Sequence, residues 1–167
     1  MADMFVQASF AFQCSSAEMA LLEEGFQASY DLSADYMAPD AQPSPEFTAL
    51  FPGLPGDPWS GFLSMFADPD FPSFGADLQA GNAIGETKVT AVITAECVFE
   101  PEPVAHLIQR CCQATLATEP IGFEWSVTCS KMRIGEFGGG WCAIFPDRIE
   151  FETTAEVLSQ ALSGGLI

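Results

Sequence analysis

The stretch that most constrains the fold covers residues 123–151. Phe123, Trp125, Val127 and Cys129 alternate there with Glu124, Ser126 and Thr128. Successive side chains of a strand point to opposite faces, so this period of two predicts a strand with one buried face. Gly138, Gly139 and Gly140 follow, and three glycines offer a turn without the Cβ clash. Apolar segments at 141–145 and 149–153 predict two more strands, joined by a tight turn at Pro146 and Asp147. The result is a sheet, and with it a fold class.

The rest of the chain supplies partners for that sheet. In residues 5–13, Val6, Ala8, Phe10 and Phe12 alternate with Gln7, Ser9 and Gln13, again a strand. Ser15 stands three residues before Glu18, the spacing of a capping box. The helix it opens is expected to reach about residue 27, with Met19, Leu22 and Phe26 buried and Glu18, Glu23 and Glu24 in water. Residues 88–99 are apolar on both faces until Glu96, which predicts an interior strand. Pro101 and Pro103 open a helix on which Val104, Leu107, Ile108, Cys111 and Thr115 share a face. Glu100 and Glu102 suit its N-terminus, where the macrodipole favours negative charge. Thr153 and Glu156 cap a last helix with Leu158, Ala161 and Leu162 expected inward and Gly164–Gly165 as its stop. Strand followed by helix occurs twice, a weak internal echo. The expectation is an α+β fold: an antiparallel-rich mixed sheet backed by helices on one face. At 167 residues it makes one domain, with a strand–helix unit at 1–32, an insertion at 33–86 and the remaining elements at 87–167.

The insertion is acidic and unusual in composition. It holds eight of the twelve prolines, yet also Phe47, Phe51, Trp59, Phe62, Phe66, Phe71 and Phe74. So many aromatic groups oppose disorder. Ser44–Pro45 and Asp57–Pro58 each place a capping side chain before a proline, predicting two short helices. Either an ordered lid packs these aromatics on the sheet, or the segment offers them to a partner.

Charge is the other anomaly. Five basic residues face 23 acidic ones, a net −18. Residues 1–87 hold thirteen of the acids and no Lys or Arg. Such a surface repels DNA, RNA and anionic lipid, and attracts a basic cleft that normally binds nucleic acid. The N-terminus lacks the basic and apolar regions of a signal peptide, and no run reaches the length of a membrane span. With no Cys-x-x-Cys pair and a single His, no zinc site is expected, and five of the six cysteines fall on apolar faces as small hydrophobes of a reducing intracellular compartment.

Local chemistry is sparse. Lys131 and Arg133 flank the glycine-rich loop 130–140, whose backbone N–H groups could cradle an anion together with Gly138, Gly139 and Gly140. The spacing matches neither the Walker nor the dinucleotide pattern, and a hairpin whose cations pair with local carboxylates explains it as well. His106 with Cys129 or Cys142 would make a Cys–His pair, but nothing nearby activates a thiol. Pairs such as Glu23–Glu24 and Asp68-x-Asp70 read as solvated surface.

Trp125, Thr128, Cys129, Ser130 and Arg133, followed by Phe137, Gly138, Gly139 and Gly140, resemble a segment of a family of small uncharacterised bacterial proteins. That family is carried on plasmids, integrative elements and phages. Its members show Trp-x-x-Thr-Cys-Ser-x-x-Arg and then Phe-Gly-Gly-Gly after a Pro-Glu helix start. The resemblance covers residues 100–162, touches the first 30 loosely and leaves the insertion unmatched. It implies no activity and no cofactor. It implies a mobile-element setting, where acidic proteins that block defence nucleases are common; this is an analogy of context. The expectation is therefore a non-enzymatic inhibitor in the cytoplasm of a bacterial host. It would present Glu18, Glu23, Glu24, Asp31, Asp35, Asp40, Glu46, Asp57, Asp68 and Asp70 to the nucleic-acid channel of a defence complex, as anti-CRISPR or anti-restriction DNA mimics do. The alternatives are an anion-binding domain built on Lys131 and Arg133, and a scaffold or oligomer with Trp59, Phe62 and Phe66 as its seam.

Overall fold

A computed structural model describes residues 1–81 and 87–164. Strand β1 (Met4–Ser15) buries Ala8 and Cys14 and turns Gln7, Ser9, Ala11 and Gln13 to solvent. At its end the Ser15 hydroxyl accepts from the Glu18 N–H, and the Glu18 carboxylate accepts from the Ser15 N–H. This reciprocal pair starts helix α1 (Ser16–Ser33) as the sequence predicts. The helix runs past residue 27 because Ala28 and Ser29 prolong its buried stripe.

The insertion contributes helix α2 (Pro45–Leu50), helix α3 (Ser60–Leu63) and strand β2 (Asp77–Ala80). Strand β3 (Lys88–Ala95) and helix α4 (Pro101–Cys111) follow, then the single turn α5 (Gln113–Leu116). Strands β4 (Ile121–Cys129), β5 (Gly138–Ile144) and β6 (Ile149–Thr153) lead to helix α6 (Thr154–Leu162).

The fold is α+β. The sheet order is β2-β3-β1-β4-β5-β6 and every ladder is antiparallel. The parallel element expected of a mixed sheet is one isolated bridge, Val6 to Val98. β1 joins the two halves: its residues Ala8 to Ser15 pair with β3, and Met4 to Gln7 pair with β4. One face carries the core. Leu22 of α1 and Val104, Leu107 and Ile108 of α4 are fully buried, as are Ile93 and Ile144 beneath them. The Phe10 and Phe123 rings stack across the junction at 4.5 Å.

The insertion is ordered by its aromatic side chains. Phe47, Phe51, Trp59, Phe62, Phe66 and Phe74 are buried in a run of tilted and edge-to-face contacts, whereas Phe71 is exposed. Full burial of each such ring contributes about 1.5–3 kcal/mol. Prolines lower the chain entropy to be lost on ordering. Polar contacts tie the aromatic part of the insertion to helices α1 and α4. The hydroxyls of Ser29 and Ser33 in α1 donate to the Pro72 carbonyl, and Arg110 of α4 donates to the Leu50 carbonyl and lies over Phe51. Trp59, Phe62 and Phe66 are spent inside this core, which removes them as an exposed oligomer seam.

Four local expectations are corrected. Asp57 and Pro58 do not open α3; they form a turn in which the Asp57 N–H bonds to Leu54, and the helix starts at Ser60 with no side-chain cap. β2 was not legible, so part of the insertion lies within the sheet. Gly138, Gly139 and Gly140 belong to β5 and not to a turn; the left-handed residue of the connection is Gly135, at φ 80°. α6 buries no side chain, and Leu158 and Leu162 are exposed, because the helix meets only the β5–β6 margin of the sheet. Gly165, half of the expected helix stop, lies outside the described residues, as does Glu86.

Candidate partner-binding surface

The ten carboxylates expected to meet a partner separate into structural and surface groups. Glu18 is buried. Its oxygens accept from the Ser15 N–H and from the hydroxyl and N–H of Thr115, at 2.7–3.2 Å. Burial pushes its pKa up, but these hydrogen bonds from Thr115 and Ser15 outweigh burial and hold it below the usual carboxylate value. It ties the start of α1 to α5 and cannot reach a partner. Glu24 is half-buried and accepts from both the N–H and the hydroxyl of Ser44, at 2.7 Å each. Ser44 in turn caps α2. This carboxylate therefore holds the insertion on α1.

The other eight remain on the surface. Glu23, Asp35, Asp40, Glu46, Asp57, Asp68 and Asp70 are exposed, and Asp31 is half-buried. Asp31 accepts from Gln27 one turn earlier, and Asp68 from the N–H of Asp70. Asp35 follows α1 in the left-handed region, at φ 57°.

Two clefts bring acids from distant parts of the chain together. In the first, of about 530 Å³, α1 faces residues 73–78, with Glu23 on one side and Asp77 on the other. In the second, of about 340 Å³, Asp68 and the exposed Phe71 face Glu100 and Glu102 at the start of α4. Burial and then the neighbouring Glu102 charge raise the pKa of Glu100. Asp77, Glu100 and Glu102 were absent from the expected set. The last two satisfied a helix N-terminus and so needed no other role in the sequence; only the fold sets Asp68 beside them.

The anion-binding alternative divides between two elements. Lys131 and Arg133 are exposed in the β4–β5 connection, and Arg133 approaches Glu136 at 3.9 Å. Gly138, Gly139 and Gly140 lie opposite Val127, Ser126 and Trp125 in the ladder. A Cβ on Gly140 would sit 2.3 Å from the Trp125 ring, so the glycines admit that ring and the β4 backbone rather than forming a cradle. Cys129 donates to Glu136 at 3.1 Å, and burial pushes the Cys142 thiol up to about 12. The pKa of exposed His106 is lowered by partial burial and by Arg110, against the opposing effect of Glu102.

All six cysteines are free thiols. Among the described residues, no group of three metal-ligating side chains occurs, and no helix is long and apolar enough to cross a membrane. No protein-family model, no curated protein and no solved structure matches the chain.

Proposed function

We propose that this chain is a non-enzymatic acidic protein that occupies the basic nucleic-acid-binding surface of a host defence complex, in the manner of an anti-CRISPR or anti-restriction DNA mimic. One observation carries the reading. Among the described residues, every side-chain ion pair is made by Arg133 or Arg148, and the partners are Glu136, Asp147 and Glu150. No carboxylate of residues 1–81 is neutralised in this way, and apart from Glu18 they reach the surface or its margin.

Two further points support it. The last turn of α1 has no basic residue, while Asp31 and Asp35 lie at that end. A helix C-terminus disfavours negative charge, so these acids are placed against helix stability. The motif resemblance around Trp125 implies a mobile-element setting, where inhibitors of host defence have a use. At physiological salt a charge acts over about 8 Å, so attraction depends on acids gathered around clefts such as those at Glu23–Asp77 and Asp68–Glu102.

The test is capture of purified CRISPR and restriction effectors on the immobilised chain at low ionic strength. Glu23→Lys combined with Asp68→Lys, one exposed acid from each cleft, is expected to weaken capture at least tenfold, about the effect of losing 1.4 kcal/mol. Capture that ignores both the charge reversal and added salt contradicts the reading.

A further inference from the structure

The sheet has a second face, and no helix covers it. Along β1 this face shows Gln7, Ser9, Ala11 and Gln13, and among the described residues none of its side chains is buried. It bears one large exposed aromatic side chain, Trp141 of β5, with 37% of its surface accessible. The ladder register sets Glu124 of β4 directly opposite Trp141 on one side and Glu152 of β6 on the other. Directly opposed side chains in a sheet start about 5 Å apart, so two carboxylates flank the indole. A shallow groove of about 570 Å³ beside Glu124 runs over Gln7 and Ser9 toward Glu96.

We infer that this bare face is a docking surface for an extended, arginine-bearing segment of a protein partner, with one guanidinium seated on Trp141 between Glu124 and Glu152. The charge selects the occupant. The described ion pairs leave Glu124 and Glu152 without a cationic partner, and Arg148, on the turn before β6, is taken up by Asp147, Glu150 and the Phe145 ring. A guanidinium is planar, stacks on an indole face, and still has N–H groups to donate sideways to carboxylates. The neighbouring Gln7, Ser9 and Ser126 can bond to an extended backbone. The inference shares with the proposed function only the cationic nature of the partner. It uses a different set of carboxylates.

The test is titration of the full chain with an octa-arginine peptide, followed through the three tryptophan indole N–H resonances. The Trp141 resonance is expected to shift saturably, while that of buried Trp59 stays in place. Trp141→Ala is expected to weaken binding about fivefold, the size of a cation over an exposed indole. Glu124→Gln with Glu152→Gln keeps side-chain size and is expected to weaken binding by a similar factor, which guards against a folding defect in the alanine variant. A stationary Trp141 resonance, or peptide binding unchanged in both variants, overturns the inference. The proposed function fails separately: defence effectors that go uncaptured, while the peptide still binds through Trp141, overturn that reading and leave this one standing.

Discussion

Glu18 is a carboxylate whose position along the helix and whose charge point in opposite directions. It lies four residues before Leu22 and on the same stripe as Gly25 and Ser29, all buried. Its charge predicts water; its place in the helix predicts burial. Burial wins because Ser15 and Thr115 supply the donors that a buried carboxylate requires. The capping box was legible in sequence, since both of its residues are local. Thr115 was not, being distant in the chain. A pH dependence follows. Glu18 has a folded pKa below its ordinary value of 4.5, so its contribution to stability is present above that value and is lost as pH falls through the folded pKa. Glu18→Gln is expected to cost about 1.5–3 kcal/mol at neutral pH, the range for hydrogen bonds to a charged group. The gap between variant and native chain should close in acid. Urea denaturation across the acid range measures it, and a gap that stays constant with pH contradicts the assignment.

Elements were legible where side chains alternate or cap, and illegible where side chains are missing or have no known cover. β1, β4, α1 and α4 were found by periodicity and capping. β2 is four residues long with only Leu78 half-buried, too short to show a period. The first residues of β5 are glycines, which carry no pattern to read. Their role is set by Trp125: a Cβ on Gly140 would meet its ring at 2.3 Å and the Glu152 carbonyl at 2.7 Å, whereas one on Gly138 would meet only the Thr154 Oγ1, at 3.9 Å. Gly140→Ala is therefore expected to destabilise the chain by about 1–3 kcal/mol, the usual cost of overpacking. Gly138→Ala should cost far less. Thermal unfolding of the two variants decides this, and equal midpoints would mean that the Trp125 ring yields. In α6, the spacing of Leu158, Ala161 and Leu162 showed an amphipathic helix, but spacing cannot tell what lies against the apolar side.

At the scale of the whole molecule, the charge was legible in amount and not in arrangement. Composition shows an acidic first half; only folding removes Glu18, commits Glu24 to the insertion, and draws Glu100 and Glu102 toward Asp68. The insertion is acidic outside and aromatic inside, so its exposed acids sit on an ordered support rather than on a flexible tail. An ordered surface of that kind should compete with duplex DNA for the same cationic channel. The most direct measurement is displacement of a labelled duplex from a CRISPR or restriction effector by this chain, repeated at increasing ionic strength. Displacement at low salt that fades as salt rises, and that weakens in the Glu23→Lys, Asp68→Lys chain, is the predicted result. An effector that holds duplex and chain together, or displacement indifferent to salt, would contradict it.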